Sequence, residues 1–208
     1  MKQDTAQAGQ IPPIGKKVRH LLVIRLSAMG DVAMTVPVLS ALTQQHPQLR
    51  ITVLTKPFFE PLFTQLQNVE VFEAEVKGRH KAVLGLWKLY KELRALHIDA
   101  VADLHNVLRS KILKLYFRAE GIPVIQMDKG RSEKKALTAY KNKDFKRLKT
   151  THERYADVFA RMGFPVDLSK ARPLLREELS KDLLQRLKSG NGIETDDQLG
   201  KDTMDTYT

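Results

Sequence analysis

The polar residues of this chain that could do chemistry stand where aliphatic runs end. Asp31 follows the run Leu21–Ile24 after the small-residue stretch Ser27-Ala28-Met29-Gly30. Asp103, His105 and Arg109 cluster at the close of a second run, Ile98–Leu104. A carboxylate is a weak base at neutral pH. It can still serve where proton transfer is late, as when a hydroxyl attacks a carbon already losing its leaving group. Asp31 could do that, or it could cap the helix that follows. Asp103 with Arg109 reads as a substrate clamp or as an ordinary pair at a strand end. Two basic stretches, Lys77–Lys81 and Lys129–Lys149, add cations that could hold phosphates or line a solvated helix face. Lys111, Lys114 and Arg118, at i, i+3 and i+7, could extend such a patch.

Other chemistries lack their residues. No strand is followed by Gly-x-Gly-x-x-Gly or by Gly-x-x-x-x-Gly-Lys-Ser/Thr, so neither a dinucleotide fingerprint nor a P-loop is present. No Gly-x-Ser-x-Gly elbow appears, and no His, Asp or Glu cluster has metal-ligand spacing. Zero cysteines exclude disulfides and thiolate metal sites.

Positioning these groups requires strands that end together. Leu21–Ile24, Leu49–Leu54, Val69–Phe72, Ile98–Leu104 and Ile122–Met127 read as five short apolar strands. Between them lie helical patterns: Val38–His46 with Pro37 in its first turn, a short helix from Lys56 to Leu66, a strong amphipathic helix to His97, and Val107–Ala119 stopped by Gly121. A further helix runs from about His152 to Met162. In the third of these, Val83, Leu86, Trp87, Tyr90, Leu93 and Leu96 recur at helical spacing, and Trp87 is expected in the core. Either the first helix begins near Pro37, leaving Asp31 on a short preceding turn, or one helix runs from Gly30 and kinks. Alternating strands and helices with short connections predict an α/β fold, a parallel sheet with helices on both faces. In such sheets ligands bind at the carboxyl ends of the strands.

The chain has 208 residues and a formal charge of +11. That excess implies an anionic partner: nucleic acid, phospholipid headgroups or a phosphorylated substrate. It is concentrated, since Lys129–Lys149 holds nine basic residues against Glu133 and Asp144 alone. The stretch offers only Tyr140 and Phe145 as aromatic platforms, thin support for nucleic acid. No apolar run approaches the roughly 20 residues that span a bilayer. The expected location is cytoplasmic.

Three segments carry a family resemblance. Leu22-Val-Ile-Arg-Leu-Ser-Ala-Met-Gly-Asp-Val-Ala-Met-Thr-Val-Pro-Val-Leu39 resembles the amino-terminal motif of glycosyltransferase family 9, the ADP-heptose:lipopolysaccharide heptosyltransferases. Asp103-Leu-His-Asn-Val-Leu-Arg-Ser110 resembles its second motif, and His152–Gly163 its third. The resemblance covers roughly residues 18–173. It implies the amino-terminal, Rossmann-like domain of a GT-B glycosyltransferase, which holds the acceptor while a facing domain holds the donor. The implied reaction is an inverting, metal-independent transfer of heptose from ADP-heptose to the lipid A core, with no cofactor. Asp31 falls on the family's catalytic base. Ser27, Met29 and Gly30 would shape the loop presenting it. Asp103, Arg109, Arg131 and Arg154 match positions that bind acceptor or structure the cleft, and Lys77, Arg79 and Lys81 correspond to a further basic acceptor loop. His152 lies only two residues from Arg154, unlike the family's spacing, and is left out of the site.

The resemblance divides the chain into a disordered segment 1–17, an acceptor-binding domain 18–175, and a segment 176–208 expected to be a short helix and then disordered. Nothing after Leu187 resembles the family's donor domain, so the sequence reads as a truncated acceptor half, inactive alone. The expected partners are the lipid A core at the inner face of the inner membrane, where the chain would be peripheral, and a nucleotide-sugar donor held elsewhere. The competing reading is a non-catalytic basic α/β module for anionic lipid or nucleic acid.

Overall fold

The computed structural model describes residues 18–138, 140, 146–171 and 185. The chain divides into units Met1–Leu174 and Leu175–Thr208, and every named element lies in the first. The expected tail organisation and the amino-terminal segment fall outside the described residues.

Five strands, β1 (His20–Ile24), β2 (Arg50–Thr55), β3 (Val69–Glu73), β4 (Ala100–Asp103) and β5 (Val124–Gln126), form one parallel sheet in the order β3-β2-β1-β4-β5. The fold class read from the sequence is the one observed. Residues of β1 alternate between two cores. Leu21 and Val23 face one side with Ile51, Val53, Ala100 and Ala102, while Leu22 and Ile24 face the other with Leu54 and Val101. Every residue of β1 is buried, as befits a central strand covered on both faces. Truncating one of its leucines to alanine typically costs 2–5 kcal/mol.

Helices α1 (Met29–Ala33), α2 (Thr35–Gln45) and α6 (Thr151–Arg161) belong to the first face; α3 (Ala82–Arg94) and α4 (Leu108–Ala119) cover the second. A 3-10 helix, Pro57–Phe63, replaces the helix expected between Lys56 and Leu66 and seats Phe59 and Phe63 in the first core. The basic run contains helix α5 (Arg131–Leu137), which has no buried residue. The two readings around Pro37 resolve into separate helices: α1 ends at Met34, which is also the residue preceding α2. Asp31 thus sits on a short helix of its own.

One core expectation fails. Trp87 remains 44% exposed and Val83 is exposed. Helix α3 lays Gly85, Leu86, Leu89, Tyr90 and Leu93 inward, which turns Trp87 toward the seam with α4. There it stacks on Tyr90 and meets Tyr116 edge-on, with centroids 5.2 and 5.1 Å away.

Candidate active site

The chain leaves β1 for β2 and β3 on one side, then returns to β4 on the other. The order reverses between β1 and β4, and the carboxyl ends there diverge into a crevice, the usual ligand position of an open α/β sheet. Ile24 pairs in register with Asp103, so the loops after β1 and β4 leave the sheet side by side.

Arg25, the first residue past β1, is buried, and its guanidinium is the anchor of the site. Nη1 donates to the Leu104 carbonyl at 2.6 Å, and Nη2 pairs with Asp31 Oδ2. Arg25 also lies over the Tyr155 ring, 6.0 Å from its centroid. Its Nε is buried without a protein partner. The Tyr155 hydroxyl donates to the Asp31 backbone carbonyl at 3.2 Å. Burial pushes the Tyr155 phenol up to about 12, so it stays a donor throughout the physiological range. Asp31 is therefore held at both backbone and side chain. Its carboxylate is still 43% exposed, and Oδ1 takes no hydrogen bond from any described residue.

The capping reading of Asp31 does not hold. The residue preceding α1 is Ala28, with no side-chain cap bond, and Asp31 lies inside the first turn. Its bond goes to Arg25 instead. Around it, Met29 and Gly30 open α1, and Ser27 Oγ lies 3.3 Å from His105 Nε2.

His105 stands within the second motif, though the resemblance assigned it no role. It is buried, and its Nδ1 has no protein partner. Burial first, then the charges of Arg25, Lys129, Arg109 and Lys56, push its imidazole down to about 4. The ring is neutral at pH 7. Those four cations follow β1, β5, β4 and β2 in the chain, and the charge of each is felt at His105. Lys129, half-buried, feels Arg131 and Arg25 on one side and Asp103 and Asp31 on the other; its ammonium is pushed down, chiefly by burial. The carboxyl edge around His105 is positively charged, and Asp31 is the partly exposed carboxylate beside it.

The remaining expected residues divide. Asp103 is fully buried and does not pair with Arg109. Its Oδ1 accepts from the His105 and Asn106 amides, at 3.0 and 2.9 Å, and its Oδ2 from the Ser110 hydroxyl at 3.0 Å. It shapes the loop into α4, and because it has no exposed surface and both oxygens are occupied it is shielded from a substrate. Neither the clamp nor the strand-end pair with Arg109 holds, and Arg109 stands exposed, with its charge felt at His105. Arg131 opens α5 and contributes its charge beside Lys129.

Arg154 is buried and structures the loop after β5. It donates from Nη2 to Glu133 at 2.7 Å and from Nε to the Lys149 carbonyl at 3.2 Å. Gly130, at φ +60°, lies so close that a Cβ there would fall 2.3 Å from the guanidinium. A cleft of about 500 Å³ opens on this flank between Asp128, Glu133, Arg154 and Asp157. The chemistry-bearing groups are instead around Asp31, and we place the site there.

Lys77, Arg79 and Lys81 lie in the loop after β3, the edge strand, two strands from β1. Arg79 is paired with Glu75 at 2.9 Å. Of the helix α4 cations, Lys114 donates to Gln126 at 2.6 Å and Arg118 to the Val124 carbonyl at 3.1 Å, so both lie along β5. Part of the basic run lies outside the described residues; within it, Arg147 pairs with Glu153 and Lys149 with Asp157. Among the described residues no group of three or more His, Asp or Glu side chains stands together as a metal site would require.

No family model matches the chain. It is 27% identical over 110 residues to the lipopolysaccharide core heptosyltransferase OpsX of Haemophilus influenzae, a stretch covering 53% of this chain and 31% of that protein. Among solved structures, a glycosyl transferase family 9 protein from Veillonella parvula superposes with a TM-score of 0.59 at 20% identity, covering 84% of this chain and 50% of the other. The E. coli heptosyltransferase WaaC, solved with ADP-2-deoxy-2-fluoro heptose, gives 0.51 at 20% identity, over 73% of this chain and 51% of its own. The chain spans about half the length of these solved relatives. These likenesses agree on a GT-B-type, Rossmann-like fold, and over its matched stretch the chain resembles glycosyltransferase family 9.

Proposed function

We propose that this chain forms the acceptor-facing half of a heptosyltransferase-like glycosyltransferase, with Asp31 as general base. The observation that carries the reading is a half-exposed carboxylate, fixed by buried Arg25 and Tyr155, at a crevice ringed by cations. The acceptor is a phosphorylated sugar, the lipopolysaccharide inner core on lipid A, whose anionic groups meet Lys129, Arg131, Arg109 and Lys56. The donor is ADP-heptose, presented across the crevice by the facing half of a GT-B arrangement.

Arg25 occupies Oδ2 and leaves Oδ1 toward solvent, so one carboxylate oxygen is positioned and the other is open to an acceptor hydroxyl. As that hydroxyl oxygen bonds to the anomeric carbon, Asp31 takes its proton. The bond from that carbon to the diphosphate oxygen breaks on the opposite face, and ADP leaves with the electron pair. The sugar is transferred with inversion. Charge is balanced by the cations around the crevice, and the chemistry needs no metal. Neutral His105, beside Ser27, adds a polar edge without a further charge. On this reading the protein works in the cytoplasm at the inner face of the inner membrane.

The test is transfer from ADP-heptose to a lipid A–core acceptor by the wild type and by Asp31→Asn. The substitution keeps the size of the side chain and removes the base. Turnover should fall by about 10²–10⁴-fold with acceptor affinity nearly unchanged. Equal turnover by the variant would remove Asp31 from the chemistry.

A further inference from the structure

We infer that the outer face of α3 and α4 is a docking surface for an anionic membrane. Large apolar side chains stand in water there: Leu84 is 84% exposed and Leu108 74%, with Val83, Trp87 and Leu115 also open. The helix positions explain the arrangement. With Leu86, Leu89 and Leu93 of α3 and Leu113 and Phe117 of α4 turned to the sheet, the opposite ridges are Leu84-Lys88-Lys91 and Lys111-Leu115. Between them, Trp87 meets Tyr116 across the seam, and Val83 lies one turn before it on α3.

The pattern is that of an interfacial surface: leucines to enter the acyl boundary, lysines interleaved with them, and a Trp-Tyr cluster of the kind that settles at headgroup depth. Contiguous exposed apolar surface rimmed by charge marks a membrane or protein contact. The charge decides between these occupants. Helix α4 has no acidic residue, and the single acid of α3, Glu92, is turned aside to Arg79 and His80. Lys88, Lys91 and Lys111 are exposed. An anionic lipid leaflet complements such a face.

Its placement also matters. Both helices begin at the carboxyl edge of the sheet, α3 after the loop from β3 and α4 after the loop from β4. Val83, Leu84 and Leu108 lie in their first turns, at the same edge as the Asp31 crevice. Docking would bring that crevice to the headgroup level, where a lipid-borne acceptor is held. The docking itself does not rest on the transfer reading, since vesicles without sugar or nucleotide are sufficient to measure it.

Trp87 is the single tryptophan of the chain, so its emission reports this face directly. The full chain is mixed with vesicles of phosphatidylcholine alone or of phosphatidylcholine with phosphatidylglycerol. We expect it to pellet with the anionic vesicles, to release at high salt, and to show a blue shift of Trp87. Leu84→Ser with Leu115→Ser should lower partitioning on the order of tenfold. Lys88→Glu with Lys111→Glu should lower it on the order of a hundredfold. Lys134→Glu with Lys135→Glu, on α5, should leave it within a few-fold. All six residues are surface positions, and circular dichroism checks their folding.

The proposal is overturned by no pelleting, by pelleting with Trp87 emission unchanged, or by an α5 pair as damaging as the α3–α4 pair. A dimer broken by the leucine substitutions, with Trp87 indifferent to lipid, would assign the face to a second copy and overturn it too.

Discussion

At the scale of single residues, the site depends on groups held in unusual states by burial. His105 is the clearest case. In the unfolded chain its imidazole titrates near 6.5, whereas in the folded chain burial and the nearby cations push it down to about 4. Between these values the unfolded state binds a proton that the folded state refuses. The stability contributed by neutral His105 is therefore complete above about pH 6.5, falls as pH drops toward 4, and changes no further below that. The loss reaches up to about 3 kcal/mol. Thermal melts of the wild type and His105→Gln from pH 7 to 4 should show a smaller decline in the variant. Parallel declines would mean that His105 is not the refusing group. Arg25 was within reach of sequence reading, since it stands in the first motif. Nothing in its type or spacing told that it would be buried against Asp31 and Tyr155, because that contact joins residues 25 and 155 across the fold.

At the scale of elements, periodicity located all five strands and the principal helices, because burial on one or both faces writes itself into the spacing of apolar residues. It misjudged what three-dimensional neighbours decide. Trp87 has helical spacing with the core residues of α3, yet the angle between adjacent positions sends it to the α4 seam. Asp103 looked available for ligand because its loop was read without the amides and the Ser110 hydroxyl that fill its lone pairs. The loop before α3 depends on close packing of the same hidden kind. A Cβ on Gly85 would fall 2.4 Å from the backbone carbon of His80, and His80 in turn is buried, accepting from the Glu75 amide at Nδ1 and donating from Nε2 to Glu92. Because backbone cannot yield as a flexible side chain does, Gly85→Ala should destabilise the chain by about 1–3 kcal/mol. Denaturant unfolding measures this. A midpoint equal to that of the wild type would show that the loop shifts freely.

At the scale of the molecule, the parallel sheet brings together what the sequence keeps far apart. Arg25, Lys56, Asp31, His105, Arg109 and Lys129 come from the ends of four strands and converge because those strands end in register at a reversal of strand order. The large positive charge was legible in composition, and so was its concentration after Lys129. Its sorting was not: part of it is spent in ion pairs with Glu133, Glu153 and Asp157, and another part surrounds Asp31. Under the proposed function, this cationic edge receives a phosphorylated sugar acceptor in front of Asp31. Calorimetric titration of the full chain with a water-soluble, deacylated lipid A–core saccharide tests it most directly, comparing the wild type, Asp31→Asn, and Lys129→Ala with Arg131→Ala. Binding should be salt-sensitive, preserved within a few-fold by Asp31→Asn and weakened by more than about tenfold by the Lys129–Arg131 pair. Wild-type affinity in the Lys129–Arg131 variant, or no binding by the wild type, would contradict it.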